Sequence, residues 1–268
     1  MQRTTAHPGL TAEQLYLFDT VGLLRFPGFL AEAEVAEART LLPQLTEAPC
    51  ELPAMRRWER LTHQSAFFRG MADSPRMIAK VRQVVNQPLR LIESYGTERA
   101  AGSELLMHGG SAESMDLAWG GHATKDVSTS HSYKDGRIYC LYVKALVYLD
   151  DINDEQDGVF TWLAGSHKAN FPLLRTWHGE NPGKRLAESD FPSLCRQPVR
   201  AGDMVLINES LLHGTTRKVT SGPRRFVAFS YAPSFMADWR EISSTADLDI
   251  HDSGYADSDV EENLLAEA

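Results

Sequence analysis

The sequence predicts a mainly β fold, an antiparallel sandwich or barrel behind an N-terminal helical layer. Two observations predict it. From about Leu89 onward, short apolar runs rich in β-branched and aromatic residues alternate with Gly, Asp, Asn and Pro. Before Leu89, apolar residues recur at helical spacing instead. A length of 268 residues, with 43% apolar and 24% charged residues, fits one globular domain of this kind.

The elements follow in order. Thr11-Ala-Glu-Gln is a capping signal, and Leu15 and Phe18 continue a helix from it. Gly22 to Leu30 is a short strand-like run broken by Pro27-Gly28. Glu32 to Leu45, rich in Ala, Glu and Leu, reads as a second helix, and residues 74–86 as a third. The expected strands are Leu89–Tyr95, Leu105–Met107, Ile138–Leu149, Val159–Leu163, Gln197–Arg200, Asp203–Asn208 and Arg224–Tyr231. Residues 109–136 and 172–196 read as long loops, and such loops in a compact β domain often carry function. The organisation expected is a single domain over 1–240, with a helical layer at about 10–88 and a β core at about 89–235, then a tail at 241–268.

The net charge of −9 belongs to that tail. Residues 241–268 hold nine acids and no Lys or Arg, which leaves 27 acids against 27 Lys and Arg in the body. A neutral body lacks the basic footprint of a nucleic-acid binder. No apolar stretch is long enough to span a membrane, and the N-terminus has no signal-peptide core. Three scattered cysteines (Cys50, Cys140, Cys195) argue against a disulfide framework and fit a reducing, cytoplasmic setting.

Chemistry has to come from the nine histidines. A non-haem iron centre uses two of them and often a carboxylate, leaving positions open for oxygen and a co-substrate. On a strand, residues i and i+2 point the same way, so such a site reads His-x-Asp or His-x-Glu with a second His downstream. The one literal match, His178-Gly179-Glu180, lies in a Gly/Pro/Asn-rich stretch too close to His213 to serve. The other candidate is His108-Gly109-Gly110, after the apolar Leu105–Met107, where the carboxylate position is a glycine. His122 and His131 remain open as alternative first ligands.

Downstream stand Leu149-Asp-Asp, Gly158-Val-Phe-Thr-Trp-Leu-Ala-Gly-Ser-His-Lys, Gly202-Asp203, His213-Gly-Thr and Arg224, eleven residues after His213. With Leu10-Thr-Ala-Glu-Gln and Phe26-Pro-Gly-Phe-Leu near the start, this ordered set resembles the phytanoyl-CoA dioxygenase-like family of Fe(II)/2-oxoglutarate enzymes. Ala164 stands where that family has Pro. The resemblance covers about residues 10–240 and implies a double-stranded β-helix, or jelly roll, with flanking helices. It implies His108 and His213 as Fe(II) ligands, and Arg224 as the partner of the distal carboxylate of 2-oxoglutarate, with Thr215 adding a hydroxyl to it. Arg225 is the rival to Arg224, and strand alternation lets only one of them point inward. His167, in the Gly-Ser-His-Lys stretch, is implied to be structural.

The glycine at 110 is similar to the His-x-Gly pattern of the non-haem iron halogenases. A missing carboxylate opens a position and removes negative charge, so chloride can take its place on iron. The resemblance therefore implies Fe(II), 2-oxoglutarate, O2 and chloride as cofactors. It also implies chlorination of an unactivated carbon in natural-product biosynthesis, with Gly110 as the vacant chloride position. The alternative is a hydroxylase whose carboxylate comes from elsewhere, with Glu113 and Asp116 as candidates; a non-catalytic jelly-roll binder is a third reading. No carrier-protein domain or basic docking face is evident, so a freestanding small molecule is expected, with a nucleotide such as 2′-deoxyadenosine monophosphate favoured. Arg99, Arg137, Lys168, Arg175 and Arg196 would then meet its phosphate, and Tyr95, Trp119, Tyr133 or Trp177 its base. The sequence says nothing of oligomeric state.

Overall fold

The computed structural model describes residues 8–109 and 131–235; Gly110, Glu113, Asp116, Trp119, His122 and the acidic tail lie outside the described residues. Thr11 caps α1 (Ala12–Val21) through a reciprocal capping box with Gln14. Gly22, in the left-handed region, ends that helix and turns the chain into β1 (Leu23–Phe26). The helices α2 (Glu32–Leu41), α3 (Leu61–Gln64), α4 (Ala66–Ala72) and α5 (Pro75–Val85) follow, with β2 (Glu47–Ala48) and β3 (Met55–Glu59) between them. Then come β4 (Leu89–Arg99), β5 (His131–Lys134), β6 (Arg137–Cys140), β7 (Val143–Tyr148) and β8 (Phe160–Leu163). The last described elements are α6 (Leu173–Glu180), β9 (Leu194–Gln197), β10 (Met204–Asn208), β11 (His213–Thr215) and β12 (Arg224–Pro233).

A seven-stranded sheet of order β1-β10-β7-β12-β4-β3-β2 faces a three-stranded sheet of order β11-β8-β9, with the β5-β6 hairpin apart. All these pairings are antiparallel. This is the jelly roll expected. The large sheet is covered on both faces, so its central strands are mostly apolar on both. Leu146, Tyr148, Val205, Ile207, Phe226 and Ala228 face the small sheet and pack with Phe160 and Trp162. The residues between them, including Ala145, Val147, Leu206, Val227 and Phe229, meet Phe18, Phe68, Val81 and Val84 of the helices.

Three differences from the sequence reading have physical causes. The N-terminal layer also carries strands, because β1 closes one end of the large sheet and β3-β2 the other. Met55–Glu59 reads as a polar run since only Trp58 of it is buried; ion pairs of Arg56 with Glu47 and Glu98, and of Arg57 with Glu59 and Glu93, hold it there. The expected loop 172–196 holds α6 and the start of β9, and the expected loop 109–136 ends in β5 and its turn. Gln197 ends β9 because Pro198 has no N–H to continue the ladder. Among the described residues no helix is long and apolar enough to cross a membrane.

The Gly202-Asp203 step fixes the entry to β10. Asp203 is 2% exposed. Its carboxylate accepts from Arg25 (2.9 and 2.7 Å), from the Gly28 N–H (2.9 Å) and from the Arg200 N–H (2.8 Å). It thereby ties β1 and the Pro27-Gly28 turn to β10. Asp203→Ala strands buried N–H donors and should cost about 2–4 kcal/mol, read as a lower urea midpoint. Asp203→Asn should recover part of that loss.

Candidate active site

His108 and His213 form a two-hydrogen-bond bridge. Each backbone N–H donates to the other's carbonyl at 2.8 Å, which clips the segment before Gly109 onto β11. Both side chains are buried and their ring centroids lie 4.3 Å apart. The His108 Nδ1 sits 2.9 Å from the Leu106 carbonyl and the His213 Nδ1 sits 2.7 Å from the Leu211 carbonyl. A carbonyl only accepts, so in each ring Nδ1 carries the proton and Nε2 keeps its lone pair. This orientation by an outer hydrogen bond is how metal-binding imidazoles are held. Burial and the neighbouring His213 push the His108 pKa down to about 3, and burial lowers that of His213 as well. Both rings are therefore neutral at physiological pH, the form a metal needs.

Each histidine is followed by a glycine that the clip requires. Gly109 has φ +85°, and a Cβ there would run into the Leu211 carbonyl oxygen. A Cβ on Gly214 would lie 2.8 Å from the Leu105 carbonyl oxygen and 2.9 Å from the Met107 nitrogen. The irregular segment and β11 thus pass closer than side chains allow. Phe160 stacks on the His213 ring at 5.6 Å and closes that side. Thr215 accepts from the Leu105 N–H at 2.9 Å, so its hydroxyl holds the clip and has only its hydrogen left for a carboxylate.

Beyond the clip, Arg224 on β12 is buried, and its Nε and Nη1 have no hydrogen-bond partner among the described residues. Its guanidinium lies over Tyr148 and Phe226, at 5.8 and 5.4 Å from the ring centroids. Burial lowers its pKa. Arg225 points the other way and makes a bidentate pair with Asp150 at 2.9 and 2.9 Å. The alternation argued from sequence holds, and Arg224 is the inward residue.

Sequence reading missed the interior charges next to this pair. Arg99, expected at the mouth, is buried directly across from Arg224 in the β4–β12 register. Lys144 and Glu209 form a buried ion pair at 2.8 Å, and the second Glu209 oxygen has no partner among the described residues. Burial works to raise the Glu209 pKa, but the Lys144 ammonium outweighs it and holds the carboxyl low. Glu93 meets Arg57 at 3.2 Å, Lys144 at 3.8 Å, and the hydroxyls of Tyr142 and Ser230. The inward alternation of β4 and β7 was the signal that would have found these residues.

The other histidines are placed elsewhere. His131 accepts from Asn208 Nδ2 at Nδ1 (2.9 Å) and donates from Nε2 to Asp19 (2.8 Å), so both ring nitrogens are engaged. His167 donates from Nε2 to the Asp19 carbonyl at 3.0 Å, a tie between the Gly-Ser-His turn and α1. His178 is exposed on α6. Gly110, Glu113, Asp116 and His122 lie outside the described residues. Among the described residues no cluster of three or more His, Cys, Asp or Glu forms a metal cage, so the two histidines stand without a third ligand there.

A jelly roll that buries a pair of Nε2-presenting histidines, with a buried guanidinium on β12, offers the residue types that non-haem iron sites use. Residues 18–226 match the phytanoyl-CoA dioxygenase (PhyH) family model, and the chain belongs to that family of Fe(II)/2-oxoglutarate oxygenases. No curated protein matches. Among solved structures, HygX from Streptomyces hygroscopicus with nickel and 2-oxoglutarate bound is 47% identical, with 86% of this chain and 90% of that chain covered and a TM-score of 0.80. HygX with nickel, 2-oxoglutarate and hygromycin B bound is 48% identical over 86% and 90% of the two chains, at a TM-score of 0.79. The nogalamycin-biosynthesis epimerase SnoN, 20% identical over 83% of each chain at a TM-score of 0.58, shares the fold.

His108→Ala and His213→Ala should each abolish Ni(II) binding by calorimetry while the circular dichroism spectrum stays native. Gly214→Ala should weaken Ni(II) by roughly 10- to 100-fold, the range of changes just outside a ligand shell. His131→Ala should leave the affinity unchanged.

Proposed function

We propose that the protein is an Fe(II)- and 2-oxoglutarate-dependent enzyme that oxidises an unactivated C–H bond of a freestanding, hydroxyl-rich, amine-bearing small molecule in antibiotic biosynthesis. The observation that carries it is the clip itself: two neutral imidazoles with free Nε2 atoms, in a fold that also buries the Arg224 guanidinium of β12 with no counter-ion among the described residues. His108 and His213 would hold the iron. Arg224 would pair with the distal carboxylate of 2-oxoglutarate, since a planar fork in a buried site matches a carboxylate. The iron, when bound with O2 and 2-oxoglutarate, supplies the oxidising power to break an unactivated C–H bond.

The chain's own residues do the rest. Phe160, Trp162 and Phe226 line the interior with apolar surface and keep bulk water from the reacting carbon. Glu209, whose second oxygen has no partner among the described residues, would offer that oxygen to a hydroxyl or ammonium group. An aminoglycoside of the hygromycin B kind carries such groups, and the 48% identical HygX is solved with hygromycin B bound. We favour it over the nucleotide because three of the five cations expected to meet a phosphate are engaged or enclosed: Lys168 pairs with Asp19 at 2.6 Å, Arg196 with Glu155 at 3.0 Å, and Arg99 is buried.

Chlorination is the second reading, favoured by the glycine at 110 where a ligating carboxylate would stand. In it, chloride takes the vacant position beside His108 and His213. Anaerobic loading with Fe(II) and 2-oxoglutarate, then oxygen, against panels of aminoglycosides and 2′-deoxynucleotides separates the readings by product mass. The expected result is succinate formed in step with an aminoglycoside product that gains one oxygen or loses two hydrogens, at any chloride concentration. A product that gains chlorine, and bromine when bromide replaces chloride, establishes the second reading instead, and Gly110→Asp should then remove it. Turnover that needs no 2-oxoglutarate would overturn both.

A further inference from the structure

The residue left over from the active site is Arg99. It is 4% exposed, lies on β4 opposite Arg224 of β12, and has its Nε and Nη1 buried with no partner among the described residues. Directly opposed residues of an antiparallel pair have Cβ atoms about 5 Å apart on one face, so two guanidinium groups share one small space. The acids near them serve the other face: Glu98 pairs with Arg56, and Asp150 with Arg225 and Arg39. Tyr148, whose hydroxyl is also buried without a partner among the described residues, lies near both guanidiniums, as does Tyr95. Burial first, and Arg224 second, push the Arg99 pKa down to about 9, which still leaves it charged at neutral pH.

Two adjacent buried cations without a counter-ion are destabilising unless an anion completes them. They present more donors than one carboxylate needs from a single arginine, and they present them from two strands that are fixed to each other. Building on the reading of the preceding subsection, we propose that Arg99 is a second co-substrate-binding residue, and that Arg99, Arg224 and the Tyr148 hydroxyl together grip the distal carboxylate of 2-oxoglutarate. The selectivity that follows is for a dianionic 2-oxo acid, since a ligand without the distal carboxylate leaves both cations uncompensated.

The test compares Arg99→Met, Arg99→Lys and Arg224→Met with the wild-type protein, using Ni(II), 2-oxoglutarate and oxalate in calorimetry and thermal unfolding. Oxalate chelates the metal but has no distal end. Arg99→Met should raise the dissociation constant for 2-oxoglutarate roughly 10- to 100-fold, the loss of charged hydrogen bonds. It should leave Ni(II) and oxalate affinity unchanged, and raise the unfolding temperature of the ligand-free protein by relieving buried repulsion. Arg99→Lys should recover part of the 2-oxoglutarate affinity, and it carries the test alone if Arg99→Met does not fold. Wild-type affinity for 2-oxoglutarate in the Arg99 variants, with Arg224→Met impaired, would overturn the role of Arg99 and leave the co-substrate site intact. Wild-type affinity in Arg224→Met as well would overturn the co-substrate site itself.

Discussion

The reciprocal backbone bridge between His108 and His213 is the constraint on which the site depends. Two hydrogen bonds of 2.8 Å hold an irregular segment against the short strand β11. The histidines become neighbours through the backbone, before any metal is considered. The carbonyls two residues upstream, of Leu106 and Leu211, then turn each ring so that Nε2 faces away from the chain. The glycines at 109 and 214 are needed because the segments approach too closely for a Cβ. Each part requires the next, so a change outside the imidazoles can act on the metal.

The interior is divided by charge. Near the clip and the start of β7, acids and bases are matched: Lys144 with Glu209, Arg57 with Glu93. At the far end of β4 and the beginning of β12, Arg99 and Arg224 are unmatched among the described residues. Buried charge without a partner lowers stability, and a fold keeps it where a ligand supplies the opposite sign. The matched end is close to neutral, and the unmatched end carries two positive charges.

Much of this was legible in the sequence, for reasons that can be named. The large sheet is buried on both faces, so its strands stand out as apolar runs such as Ala145–Leu149 and Met204–Ile207. Arg224 and Arg225 separate by period-two alternation alone. The order His108, Gly202-Asp203, His213, Arg224 carried the family. Other parts were hidden. The strand Met55–Glu59 is held by cross-strand ion pairs and one buried Trp, so its composition looks like a loop. Arg99 looked like a surface cation because its partner in register, Arg224, is more than a hundred residues away along the chain. The His131 ring, open as a ligand in sequence, is consumed by Asp19 and Asn208, contacts that no spacing announces.

The most direct measurement of the central claim is a crystal structure of the protein grown anaerobically with Fe(II) and 2-oxoglutarate. The account predicts one iron bound through the Nε2 atoms of His108 and His213, with both Nδ1 atoms still on the Leu106 and Leu211 carbonyls. Iron bound through either Nδ1, or held at His122 or His131 in place of His108, would contradict it.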